Sequence, residues 1–352
     1  MSAVPGVTSE SGKGATPSWM RHAGFSDLKG DRVLITGGAG FIGSHIAHAL
    51  WALGARVVVL DDLSGGYVAN LPEGTEFHQA SVLDDAALRQ AIAGCGIVFH
   101  EAALVSVPQS VAEPERCAQI NMVGTQRVLT AAAEAGVRRL VFAASAAAYG
   151  NTPTLPSKEE HVPDCWSPYA ASKVAGEFLL QSQARCSKLS TVSLRYFNIF
   201  GPRQDPSSPY AAVISAFIKM LLSGRTPTVM GDGEQTRDFT FVENVVYANL
   251  LAATSPKALA GEVINIGTGV RTRLLDVLLR MGEALGVDAT PAFAPPRAGD
   301  VRHSVADISR AREILGYEPV VDFAEGIRRT LAWAKTVPSL AGGQQGLRGS
   351  AA

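Results

Sequence analysis

RVLITGGAGFIGSHIAHALWAL (residues 32–53) decides the fold. An apolar, strand-like run enters Gly37, Gly40 and Gly43 and leaves them directly into a segment of helical periodicity. Glycine at these places lets the chain turn sharply, lets backbone N–H groups approach a diphosphate, and lets helix and strand pack closely. The helix N-terminus adds positive potential.

Outward from this unit, short apolar runs alternate with helical segments: ARVVVLDD (55–62), TEFHQASV (75–82), GIVFHEAA (96–103) and RLVFAAS (139–145). Strand alternating with helix is the pattern of a parallel sheet covered on both faces, and right-handed crossovers make it doubly wound. The fold class expected is α/β, a Rossmann-type doubly wound parallel sheet with a smaller C-terminal α/β substrate lobe. After Ser145 comes a Pro-rich loop (151–168), a helix from about Ser167 to Cys186 and the strand LSTVSLRYFNIFG (189–201). Beyond Pro202, short strands such as TPTVMG and EVINIGTG scattered among helices suggest the smaller lobe. The division expected is a disordered tail over 1–28, a nucleotide-binding domain over 29–200, an interleaved substrate lobe over 201–337 and a flexible tail over 338–352.

Asp61 ends the second strand, where a carboxylate accepts hydrogen bonds from both ribose hydroxyls and repels a 2′-phosphate. NAD is therefore expected rather than NADP. Composition narrows the partners: the net charge is −1 and the chain has no basic run, so nucleic acid is not expected. Cys95, Cys117, Cys165 and Cys186 are scattered and read as reduced thiols, neither a zinc site nor a disulfide framework, and no metal is expected. The Ser/Gly/Pro-rich start has no signal-peptide pattern and no apolar run approaches a membrane span, so a cytoplasmic protein is expected.

Tyr169 and Lys173 lie four positions apart on a helical segment and share a face. A nearby ammonium favours the phenolate of a tyrosine, so the pair reads as a proton-handling unit. Ser145 ends strand RLVFAAS at the edge where doubly wound sheets hold ligands, and its hydroxyl could hold a sugar oxygen. The histidines His45, His48 and His100 read as packing or surface residues, with His303 kept as a pocket candidate. The acid pairs Asp84/Asp85 and Glu159/Glu160 read as caps or solvated groups.

Taken together, GGAGFIG, Asp61, Ser145 and YAASK (169–173) resemble the extended short-chain dehydrogenase/reductase family over residues 31–335. LRYFNIFGPRQDP, GDGEQTRDF and PPRAGDVRHSVAD look most like its nucleotide-sugar 4-epimerases, acting on UDP-N-acetylglucosamine and UDP-galactose. The resemblance implies catalysis by Ser145, Tyr169 and Lys173. It implies NAD contacts from Gly37, Gly40, Phe41, Ile42 and Gly43 in the first turn, and from Asp61, Leu63 and Ser64 after the second strand. Further NAD contacts would come from Ser81 and Val82, from Ala102 and Ala103, from Asn121, and from Tyr169, Lys173 and Phe197. For a UDP-sugar substrate it implies Ser106, Ser145, Asn198 and Gln204, then Tyr210, Ala211 and Val213 around the nucleotide, with Arg237 and Arg297 on the diphosphate, Asp300 on the uridine ribose and Ser304 at the sugar. Family members commonly dimerise through helices that include the Tyr/Lys segment, so a homodimer is expected.

Within that resemblance, dehydratases carry an Asp-Glu pair where this chain has Ala146 and Ala147, and decarboxylases carry a Glu at Ala147's position. Alanine moves no proton, so epimerisation is favoured. Ser304 is small where some UDP-galactose epimerases have a Tyr, which points to room for an N-acetyl group. Ser81 stands where the family usually has an Asp near the adenine, and Gln109 replaces a basic residue in SVPQS. A uronate 4-epimerase, using Arg195, Arg203 or Arg302 on the carboxylate, another UDP-sugar-modifying enzyme, and a silent NAD-binding module are the alternative readings.

Overall fold

The computed structural model describes residues 17–205, 213–296 and 301–341. Its nucleotide-binding half runs β1 (Arg32–Thr36), α1 (Phe41–Ala52), β2 (Arg56–Asp61), β3 (Glu76–Gln79), α2 (Asp85–Ile92) and β4 (Ile97–His100). It continues through α3 (Val107–Ala112), α4 (Pro114–Ala118), α5 (Gly124–Glu134), β5 (Arg139–Ser145), α6 (Pro168–Cys186) and β6 (Ser190–Tyr196). A π-helical turn, Gln119–Val123, joins α4 to α5.

The lobe contributes β7 (Ile199–Phe200), α7 (Val213–Leu222), β8 (Thr228–Met230), β9 (Thr236–Arg237) and β10 (Thr240–Phe241). The chain then re-enters the main body with α8 (Val242–Thr254) and β11 (Ala260–Ile266). It finishes with β12 (Thr272–Arg273), α9 (Leu274–Leu285), β13 (Ala292–Ala294), α10 (Ser309–Leu315), α11 (Phe323–Thr336) and α12 (Pro338–Ala341).

The main sheet has seven strands in the order β11-β6-β5-β4-β1-β2-β3, and every neighbouring pair is parallel. Buried on both faces, its strands read as nearly continuous apolar runs, as in RVVVLD and IVFH. One face packs against α1 and α8, the other against α2, α5 and α6. The order reverses between β1 and β4, so the crevice outside their carboxyl ends is where the fold receives a ligand. A separate apolar cluster around Phe200, Phe217, Phe241 and Met281 forms the lobe. The buried Asp238 carboxylate ties the lobe to the sheet, accepting from the backbone N–H groups of Thr268, Gly269 and Ala306 and from the Thr268 hydroxyl.

Three sequence boundaries need correction. EVINIG belongs to β11, the edge strand of the main sheet, rather than to the lobe. The expected tail over 1–28 stops short of its last dozen residues: Ser18–Arg21 and Ala23–Leu28 form short 3-10 turns, with Phe25 and Leu28 buried. Trp19 donates to Glu243 on α8 at 2.6 Å and its ring meets those of Phe25 and Tyr247. A few aromatic anchors docked on a preformed helix outweigh a polar composition. Likewise Leu340 in α12 is buried, inside what was expected to be the C-terminal tail. Among the described residues no helix is long and apolar enough to cross a membrane.

Candidate active site

The turn after β1 is a cradle with no room for side chains. Gly37 has φ +71°, and a Cβ on it would lie 2.6 Å from the Ala102 nitrogen at the end of β4. A Cβ on Gly43 would lie 2.3 Å from the Gly37 oxygen. The first turn of α1, with Phe41 and Ile42, therefore opens onto the switch point with its N–H groups free for a diphosphate. Asp61 is buried beside it; Oδ2 accepts from Ala39 N at 2.9 Å and Oδ1 from Leu63 N at 2.8 Å. Burial raises its pKa and those two amides oppose the rise. Each carboxylate oxygen keeps a lone pair for a ribose hydroxyl. This set fits NAD.

Farther out, at the carboxyl ends of β2 and β3, an open cavity of about 670 Å³ is lined by Asp62, Ser81, Leu83, Arg116 and Gln119 among others. The Ser81 hydroxyl accepts from Leu83 N and shapes the cavity's turn. Ser64 N is held by the Asp62 side chain. Val82 is buried against Gly124.

Opposite the cradle, α6 presents Tyr169 and Lys173. Ser167 caps the helix by accepting from Ala170 N, and Pro168 begins it, which suits the first helical position. Lys173 is buried; its Nζ donates to the Ala143 carbonyl at 2.7 Å and lies 4.9 Å from the Phe142 ring and 5.9 Å from the Tyr169 ring. Burial lowers its pKa to about 8. Burial raises the Tyr169 phenol, and a hydrogen bond with Ser145 opposes that rise. For this half-buried phenol, desolvation outweighs the lowering expected from its ammonium neighbour. Ser145, Tyr169 and Lys173 are nonetheless brought together. Ser145 begins a 3-10 turn, Ala146–Tyr149, in which Ala146 and Ala147 bring only methyl groups.

Other predicted residues have structural duties. Asn121 is buried with its amide donating to Leu104 O and Ser172 Oγ and accepting from Leu104 N, so it holds the loop after β4 onto α6. Ala103 lies in that loop. The Phe197 ring is fully buried, 5.9 Å from that of Tyr149, leaving only its backbone for a ligand. Ser106 caps α3 through Gln109 N, and the Gln109 side chain donates to Glu113. Gln204 bridges Ile199 O and Ser215. Asn198 has φ +40° and donates to Asp238 O. Val213 opens α7. Arg237 ends β9, donating to the Thr236 and Arg302 carbonyls, while Ser304 N donates to Thr236 O, so the two border one strand end. His303 meets the Thr236 hydroxyl at 2.9 Å. Tyr210, Ala211, Arg297 and Asp300 lie outside the described residues.

The arginines considered for a uronate are engaged elsewhere. Arg195 is buried in a two-point pair with Glu177, both contacts 2.7 Å. Arg203 is half-buried against His45 and Asn70 O, and Arg302 pairs at the surface with Asp232. His100 is enclosed between Thr36 and Thr125. Asp84 caps α2, and Glu159 accepts from Asn265 N.

The sequence reading missed Glu101. Its Oε1 accepts from the Tyr196 hydroxyl at 2.9 Å, within electrostatic reach of Lys173 and Tyr169. Its signal was an acid interrupting the apolar run IVFHEAA directly at a strand's carboxyl end.

Known proteins resemble this chain over most of its length. Residues 33–267 match the model of the NAD dependent epimerase/dehydratase family. The UDP-glucose 4-epimerase of Mycolicibacterium smegmatis is 42% identical over 308 residues, 85% of this chain and 97% of that protein. The UDP-N-acetylglucosamine 4-epimerase of Methanobrevibacter ruminantium, solved in complex with UDP-N-acetylmuramic acid, is 39% identical with a TM-score of 0.83, covering 87% of this chain and 98% of its own. The UDP-glucose 4-epimerase of Thermus thermophilus, solved with NAD, is 38% identical with a TM-score of 0.79, covering 86% and 98%.

Proposed function

The chain belongs to the NAD dependent epimerase/dehydratase family, and from that premise we propose that it is a UDP-hexose 4-epimerase, acting on UDP-N-acetylglucosamine and its galactosamine epimer as well as on UDP-glucose and UDP-galactose. The family is NAD-dependent, and NAD is the cofactor. The glycine cradle and Asp61 would hold it, and bound there it would supply a reversible acceptor for the C4 hydride. Tyr169 takes the proton of the C4 hydroxyl and returns it to the same oxygen after the sugar has turned its other face. Ser145 holds that oxygen by hydrogen bonding, and Lys173 supplies positive charge beneath the phenol.

The observation that carries this reading is the turn after Ser145. A dehydratase or decarboxylase needs a further proton-transfer group beside the sugar, and Ala146 and Ala147 offer none. Neutral hexoses are favoured over uronates because Arg195 and Arg203 are held within the fold and Arg302 is paired outside it. A catalytically silent module would have no use for the buried Lys173 beside Ser145 and Tyr169.

NMR of the purified protein with UDP-N-acetylglucosamine, UDP-glucose or UDP-glucuronate, without added NAD, tests the proposal. The C4 epimers of the first two are expected, and absence of any epimer would sink it. Ser304 borders the strand end carrying Arg237, and its small side chain is assigned here to leave space for the N-acetyl group. Ser304→Tyr should reduce turnover of UDP-N-acetylglucosamine by about 10²-fold and spare UDP-glucose, since a bulky ring removes space only the acetamide uses. Parallel loss of both would reject the steric assignment.

A cytoplasmic homodimer completes the proposal. Phe178 on α6 and Met122 and Val123 on the adjoining π-turn are exposed apolar residues, the kind of surface a second copy covers. Phe178→Asp is expected to convert a dimer to a monomer in analytical ultracentrifugation; a wild-type monomer would overturn this.

A further inference from the structure

Glu101 follows the last residue of β4, and its backbone N–H donates to Thr36 O at 3.0 Å, beside the cofactor cradle. The hydrogen-bond chain behind its side chain has a fixed direction. Asn249 Nδ2 donates to the Val245 carbonyl at 2.9 Å, which orients the amide, and also to the Tyr196 hydroxyl at 2.8 Å. With that lone pair occupied, Tyr196 directs its own proton to Glu101 Oε1 at 2.9 Å. Glu101 is thereby an acceptor at Oε1, and a hydrogen bond received there favours its charged form.

Lys173 is a buried ammonium that touches a carbonyl and two aromatic rings. Among the described residues no carboxylate lies within salt-bridge distance of it, and Glu177, one helical turn onward, is paired with Arg195. A buried charge left without compensation gives up its proton. His100 of β4 pairs with Phe142 of β5, so Glu101 follows beside Ala143, whose carbonyl holds the Lys173 ammonium; the groups facing Lys173 are thus Glu101, Cys117 from α4, Glu177 from α6 and the neutral His100. Those facing Glu101 are Tyr196, Lys173 and Tyr169.

We infer that Glu101, oriented by the Asn249–Tyr196 chain, is the counter-charge that keeps Lys173 protonated, and so acts as a positioning residue for the Tyr169 phenol. Burial raises Glu101 and lowers Lys173, and the charge of each opposes the shift of the other. With Glu101 ionised, its negative charge balances the ammonium. Removing that negative charge disfavours the ammonium, so Lys173 should lose its proton at a lower pH.

This inference rests on the Tyr169/Lys173 reading, and the tests separate the two. Glu101→Gln retains an oxygen that can accept from Tyr196, so the fold should tolerate it. The alkaline fall in kcat, and the NMR titration of the Lys173 ε-methylene, assigned by its loss in Lys173→Arg, should both move about one pH unit toward acid, with KM unchanged. At the wild-type midpoint this is about a fivefold loss of kcat, since about half of the wild type and about a tenth of the variant keep the proton. Tyr196→Phe, which keeps the carboxylate but removes its donor, should shift both readouts the same way and less. An unmoved Lys173 titration, or a kcat loss equal at every pH, would overturn the inference while leaving the Tyr169/Lys173 reading intact. Full turnover by a Tyr169 variant would instead remove the reading beneath it.

Discussion

Tyr169→Phe is expected to lower kcat by about 10³-fold with little change in stability or in KM for the UDP-sugar, because general acid–base transfer contributes on that order. In the proposed mechanism the phenol exchanges a proton with the sugar oxygen, and Ser145 and Lys173 lie beside it from β5 and α6. Phe fills the same volume, so the Lys173 amine should keep its bond to Ala143 and the helix its packing. Steady-state kinetics with a coupled assay for the C4 epimer measures the loss. Retention of more than about a tenth of wild-type kcat would mean that another group moves the proton.

Glu177→Gln is expected to destabilise the fold by about 3 kcal/mol or more, read as a lowered urea midpoint. Glu177 stands one turn beyond Lys173 on α6, and its carboxylate grips Arg195 of β6 through two contacts in the dry interior. Removing one partner of such a pair strands the other's charge. Arg195 also lies 4.7 Å over the Tyr149 ring, which cannot replace a carboxylate. Adding Arg195→Met to the variant should recover much of the loss, since it removes the charge that the single variant strands. If the single variant were as stable as the parent, the pair would not be what fastens α6 to the sheet.

The readable features were local ones. GGAGFIG needed only its neighbours, because a strand, three glycines and a helix restrict the backbone to one kind of turn. Asp61 was legible from its place at a strand end, and Tyr169 and Lys173 from helical spacing. The structural duty of Asn121 was hidden for the opposite reason: its amide is engaged by Leu104 and Ser172, a partnership between segments far apart in the chain. EVINIG misled because a strand's sheet is set by its partner, and β11 pairs with β6 across an intervening lobe. The anchoring of Phe25 and Trp19 on α8 has the same character.

By itself, the sequence determined the strand-turn-helix unit, the alternation that demands a covered parallel sheet, the preference for NAD at Asp61, and the spacing that puts Tyr169 above Lys173. Each follows from backbone geometry within about one supersecondary unit. Only the tertiary structure decided the electrostatics. Glu101, Lys173 and Tyr169 meet at the sheet's edge, Lys173 buried and the other two half-buried, and burial, a property of the folded body, brings the proton affinities of Glu101 and Lys173 together while raising that of Tyr169.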